Sequence, residues 1–99
     1  MNTFIDGKIV LVTGGVGSIG SELVRQVLRH NPKQVRIFDN RETEIFHLQH
    51  ALENHDNVRF LIGDVRDKNR LSLAMENVDI VFHAAALKHV PSCEYNPFE

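Results

Sequence analysis

The chain has 99 residues, 42% of them hydrophobic and 24% charged, with a formal net charge of -2 and a single cysteine, Cys93. That describes one small globular domain, not a disordered, collagenous or coiled-coil chain, with no cationic excess to neutralise a nucleic-acid backbone and no internal disulfide. The longest apolar runs, residues 9–12 and 84–87, fall far short of the roughly 20 residues a membrane span needs, and no secretory signal follows Met1; the expectation is a cytoplasmic protein without nucleic-acid or membrane partners.

From Lys8 to Thr13 the sequence KIVLVT is β-branched and apolar and runs into glycines, which reads as a buried strand. Ser18 to Arg29 has helical periodicity, with Ile19, Leu23 and Val27 on one stripe widened by Val24 and Leu28. Asn31-Pro32 closes that helix, because a residue before proline is pushed out of helical geometry. Gln34 to Phe38 reads as a second strand. Asn40 is placed to cap a helix from Arg41 to about Leu52, with Ile45, Leu48 and Leu52 inward. Val58 to Ile62 reads as a third strand. Asp67 caps a short helix through Met75, with Leu71, Ala74 and Met75 inward. Asp79 to His83 begins a fourth strand, and Pro91 suits the first turn of a further helix.

Strands alternating with helices predict an α/β fold with a parallel sheet. Right-handed crossovers put the first two helices on one face and give strand order 3-2-1-4, the N-terminal half of a doubly wound Rossmann sheet. The second face is then covered by the helix near Lys68 to Met75 and by the segment from Pro91 onward. Residues 9–12 are apolar on both sides, as a doubly covered strand requires. The expectation is that the natural protein continues beyond Glu99, or that the chain forms a homo-oligomer.

Thr13 to Gly20 reads TGGVGSIG, with Gly14, Gly17 and Gly20 at three-residue spacing between a strand and a helix. In a dinucleotide-binding turn the first glycine permits the tight turn, the second admits a pyrophosphate close to the backbone, and the third lets helix and strand pack. The helix N-terminus adds free N–H groups and a positive dipole end. Gly14, Gly17, Ser18, Ile19 and Gly20 are therefore candidate cofactor contacts; a ligand-free glycine turn is the alternative. Asp39 ends strand two, where such folds place an acid for the ribose hydroxyls. The acid favours NAD over NADP, although Arg41, two residues on, could pair a 2′-phosphate. Asn40 lies between them. Asp64 and Val65, after strand three, are placed to read adenine through a carboxylate and the backbone. Ala84, Ala85 and Ala86 are small where strand four would meet the nicotinamide ribose. For each, a turn, capping or packing role is the alternative. His47 and His50 stand three apart on a helix without the further ligands of a zinc site, so no metal is expected.

TGGVGSIG, Asp39, the GDV of Gly63 to Val65 and the HAAA of His83 to Ala86 together resemble an extended short-chain dehydrogenase/reductase. Residues 83–99, HAAALKHVPSCEYNPFE, resemble more narrowly the CapD-type polysaccharide biosynthesis proteins, the UDP-N-acetylglucosamine 4,6-dehydratases, as do TGGVGSIGSELVRQ and IGDVRDKNRL. The resemblance implies an NAD(P)-dependent enzyme acting on a UDP-sugar: oxidation at C4, loss of water across C5 and C6, and return of hydride to C6. It places Lys88 and His89 beside the substrate and leaves the roles of Glu94, Asn96 and Glu99 open. It also implies a Tyr-x-x-x-Lys pair, which this chain lacks: the one tyrosine, Tyr95, has Glu99 four residues on. The expected assignment is the cofactor-binding portion, residues 1–99, with no catalytic residue of its own. Some members of that family carry membrane helices ahead of the Rossmann unit; Met1 just before the first strand suggests the short soluble type. A nucleotide-sugar 4-epimerase and a non-catalytic NAD(P)-binding module are the alternatives.

Overall fold

A computed structural model describes residues 4–84. Four strands, β1 (Ile9–Thr13), β2 (Gln34–Asp39), β3 (Val58–Ile62) and β4 (Ile80–His83), alternate with three helices, α1 (Ser18–Leu28), α2 (Glu42–Ala51) and α3 (Lys68–Ala74). All pairings are parallel and the order is β3-β2-β1-β4, as the alternation predicts. Thr13 pairs with both Phe38 and His83, and Asp39 with Ile62, so these strand ends line up along one edge of the sheet. At the opposite edge Asp79 clamps β4 to β1. Its carboxylate accepts from the Ile9 N–H at 2.9 Å, and its own N–H donates to the Ile9 carbonyl at 2.8 Å.

The two-residue period of the strands divides the core. Val10, Val12, Val35, Ile37 and Val58 face Val24 and Val27 of α1 and Ile45, Leu48 and Leu52 of α2. Leu11 and Phe38 face the other way, fully buried with Ala74 of α3 and flanked by Leu61, Leu71, Val78 and Val81. The second face is therefore closed over its two central strands. Arg36 secures this packing. Its Nη1 donates to the carbonyls of Ala74 and Glu76 at 2.9 and 2.6 Å, satisfying the end of α3.

Three local expectations are corrected. Ile19 is 46% exposed, because the inward position of the first turn of α1 belongs to Gly20; the buried stripe is Gly20, Val24 and Val27. Met75 is the C-terminal cap of α3 and 42% exposed, not inward. Asn40 does not cap α2, whose N-cap is Arg41 with no side-chain cap bond. The Asp39 carboxylate takes the Arg41 N–H at 3.1 Å and sets the turn in Asn40's place. Asp67 caps α3 as expected, accepting from the Arg70 N–H at 3.2 Å. The helix expected at Pro91 lies outside the described residues.

Candidate functional site

The residues singled out from the sequence gather at the edge of the sheet where the strands end. Gly14 has φ 71°, a backbone region that side chains disfavour. Its carbonyl accepts from the Gly17 N–H at 3.2 Å, and its own N–H continues the ladder to the Phe38 carbonyl at 2.8 Å. The turn is thereby tied to the end of β2. Gly20 packs backbone on backbone: a Cβ there would strike the Gly14 carbonyl oxygen and lie 2.7 Å from the Gly15 Cα. Gly15, which lies outside the three-residue spacing, is also constrained, because a Cβ on it would lie 2.6 Å from the Ile37 Cγ2 methyl. The signal for it is the second glycine of the Gly-Gly pair.

Gly17 is the extended N-cap of α1. It opens on a cleft of about 100 Å³ lined by Gly14, Gly17, Ser18, Ile19, Gly20, Arg41 and Ala84. Five of these are the loop and helix-start residues named from the sequence. Ile19, unsatisfactory as a core residue, stands here as apolar surface beside the helix N-terminus. Ile62 and Val65 are further exposed apolar residues at and just after the end of β3. A strand-to-helix turn with free N–H groups, a narrow cleft with Ile19 in its wall and further exposed apolar residues at the same edge of the sheet fits an anionic ligand carrying flat rings.

Asp39 is the buried charge of the site, 5% exposed. One carboxylate oxygen accepts from the backbone N–H and Nε of Arg41, both at 3.1 Å. The other accepts from Arg41 Nη2 at 3.0 Å and from the Val16 N–H at 3.3 Å. Burial pushes this carboxyl up, but the Arg41 side chain, the backbone N–H groups of Arg41 and Val16 and the guanidinium charge outweigh it and hold the group below its ordinary value of 3.8. The same clip recurs one strand over. Asp64 accepts from the Arg66 N–H, Nε and Nη2 at 2.8, 3.0 and 2.8 Å and from Asn40 Nδ2 at 3.4 Å. The hydrogen bonds from the Arg66 side chain and backbone hold its carboxyl far below the usual carboxylate range. Both acids expected to accept from a cofactor are thus occupied by arginines two residues on.

On the other side of the loop Thr13 Oγ1 meets His83 Nδ1 at 3.0 Å. Thr13 is fully buried, and the hydrogen bond joins the ends of β1 and β4, next in the chain to Gly14 and Ala84 of the cleft wall. The parallel register of β1 with β4 is what brings them together; no local motif announces it. Ala84 is buried and lines the cleft. Ala85, Ala86, Lys88 and His89 lie outside the described residues, as do Cys93, Glu94, Tyr95, Asn96 and Glu99.

A parallel sheet in this order, with a glycine turn leading from β1 into α1 and an acid at the end of β2, is a Rossmann fold of the extended short-chain dehydrogenase/reductase kind. Within that class the chain belongs to the polysaccharide biosynthesis protein family, whose model matches residues 10–99. It is 59% identical over its whole length to a Methanocaldococcus jannaschii protein described as an uncharacterized membrane protein, covering 29% of it. It is 46% identical over 95 residues (95% of this chain) to UDP-N-acetylglucosamine 4,6-dehydratase (inverting) of Campylobacter jejuni, covering 28% of it. Against UDP-glucose 4-epimerase of Rickettsia bellii the identity is 44% over 100 aligned positions, with 97% of this chain and 29% of that one covered. Among solved structures, Pen from Bacillus thuringiensis superposes with a TM-score of 0.84 and 48% identity over 98% of this chain and 30% of that one. WbmF of Bordetella bronchiseptica, in complex with NAD+, does so with 0.64 and 28% over 82% and 24%. The chain spans less than a third of the length of these relatives. Among the described residues no helix is long and apolar enough to cross a membrane.

Proposed function

We propose that this chain is the cofactor-binding portion of a nucleotide-sugar 4,6-dehydratase acting on a UDP-N-acetylglucosamine-type substrate in polysaccharide or glycan synthesis in the cytoplasm. The observation that carries the reading is the cleft over Gly17, at the N-terminus of α1 and beside Asp39. It supplies backbone donors for a diphosphate, no Cβ at the point of closest approach, and apolar surface for rings. A nicotinamide dinucleotide fits it: Gly14, Gly17, Ser18 and Gly20 would hold the diphosphate, Asp39 or Arg41 the adenosine ribose, and Asp64 and Val65 the adenine. Such a group, when bound, takes hydride from the sugar and gives it back. The part this chain plays is to bind and orient, with the Thr13–His83 hydrogen bond joining the strand ends that carry Gly14 and Ala84 into the cleft wall. The carboxylate of Asp39 favours NAD, and Arg41 is the one feature that speaks for NADP. The bases that move protons on the sugar belong to the portion of such an enzyme that the resemblance places downstream, as do most contacts with UDP; Lys88 and His89 are the substrate contacts assigned to this chain.

A 4-epimerase is the second reading, favoured by the 44% identity to UDP-glucose 4-epimerase. The two part at the product. The enzyme that contains this chain is incubated with UDP-N-acetylglucosamine, and the nucleotide sugars are separated by chromatography from the starting material and analysed by mass spectrometry. A loss of one water identifies the dehydratase; an isomer of unchanged mass identifies the epimerase and overturns the first reading.

A further inference from the structure

We propose that Arg41 is a latch that closes the dinucleotide cleft from within and must swing off Asp39 before a dinucleotide is held there. The inference rests on the dinucleotide reading above and deepens it. Two carboxylate oxygens have about four acceptor positions, and four hydrogen bonds fill those of Asp39. A ribose hydroxyl therefore finds no free acceptor. Two of the four donors, the N–H groups of Val16 and Arg41, are backbone and belong to the fold. The other two are Nε and Nη2 of a side chain that is 32% exposed and so borders solvent.

The same guanidinium stands over the loop. A Cβ on Gly17 would lie 2.9 Å from Arg41 Nη2 and 3.6 Å from Nη1, so the space that the missing side chain leaves is taken by Arg41. Gly17 is the point at which the loop lets a phosphate approach the backbone. One side chain thus blocks both halves of the subsite, the acid and the glycine. The Asp64–Arg66 clip shows what the motif does without that placement. Its hydrogen bonds are alike, but the Arg66 side chain is 87% exposed, and Arg66 is not part of the cleft wall.

A site that is open for a fraction of the time binds with an affinity reduced by that fraction. A bidentate, partly buried ion pair keeps the closed form ahead by roughly tenfold. The test uses Arg41→Met, which keeps most of the side chain's length and removes its donors. The chain and the variant are titrated with NAD+ by calorimetry, and association is followed by stopped flow. We expect Arg41→Met to bind NAD+ about three- to tenfold more tightly and to associate faster. Equal or weaker binding by the folded variant, with binding by the unaltered chain, overturns the latch and leaves the dinucleotide reading standing. No binding by either overturns both. The unaltered chain carries a second readout, the Arg41 Nε–H resonance. It must shift and lose its protection as NAD+ saturates the chain, and a resonance that stays in place through saturation overturns the latch whether or not the variant folds.

Discussion

Asp39 carries two loads at once. Its carboxylate ties the glycine loop to the end of β2 through Val16 and sets the turn into α2 through Arg41. Because its pKa is held below 3.8 in the fold, it contributes stability that is fully present above the unfolded value and is lost as pH falls through the folded one. Acid melting curves should therefore show a loss of stability beginning near pH 4 and continuing below it, and Asp39→Asn should flatten that limb. Asp39→Ala should cost about 2–4 kcal/mol at pH 7, since it strands a buried N–H and removes the partner of a partly buried guanidinium; a melting temperature unchanged by Asp39→Ala contradicts the assignment. The position of Asp39 was legible, because an apolar strand run ends on an acid there and the structure puts it at the end of β2. That the acid is occupied was not legible. It depends on the rotamer of Arg41, which the local string does not determine, and on Gly17 leaving room for the guanidinium.

Helices and strands were readable where one period dominates. β1, β2 and β3 carry their β-branched residues in short runs between turn signals, and α2 buries Ile45, Leu48 and Leu52 as its spacing predicts. Element ends are less legible, because a side chain there must choose between the helix and another partner. Ile19 reads as core by periodicity, yet Gly20 holds the inward place because the loop backbone lies against it. The two glycines at the start of α1 differ accordingly. Gly20→Ala places its Cβ among backbone atoms that cannot yield, and should cost about 1–3 kcal/mol. Gly17→Ala meets Arg41 Nη2 at 2.9 Å, the end of a side chain that can give way only by loosening its hold on Asp39, and should cost less than Gly20→Ala, about 0.5–1 kcal/mol. Thermal denaturation of both variants checks the order, and equal losses contradict the geometry.

The architecture was legible because alternation gives a parallel sheet, handedness sets the face of each crossover, and the glycine turn after β1 points to the 3-2-1-4 order of a dinucleotide-binding sheet over the other doubly wound orders. How far the second face closes was not, since that depends on Phe38 and Leu11 reaching Ala74 and on Arg36 bonding the end of α3 across a separation no periodicity reports. Leu73 and Met75 of that region remain exposed. We propose that chains associate through the α3 side; sedimentation equilibrium should give a mass above the 11.3 kDa of one chain, and a monomer at all concentrations contradicts it. Every role proposed for this chain depends on the cleft over Gly17 holding a dinucleotide. Its most direct test is calorimetric titration of the folded chain with NAD+ and NADP+, with Gly20→Ala alongside. Saturable one-to-one binding of at least one dinucleotide, abolished by Gly20→Ala, is the predicted result. A chain that is folded by circular dichroism and takes up neither, or a Gly20→Ala chain that binds as well as the parent, contradicts it.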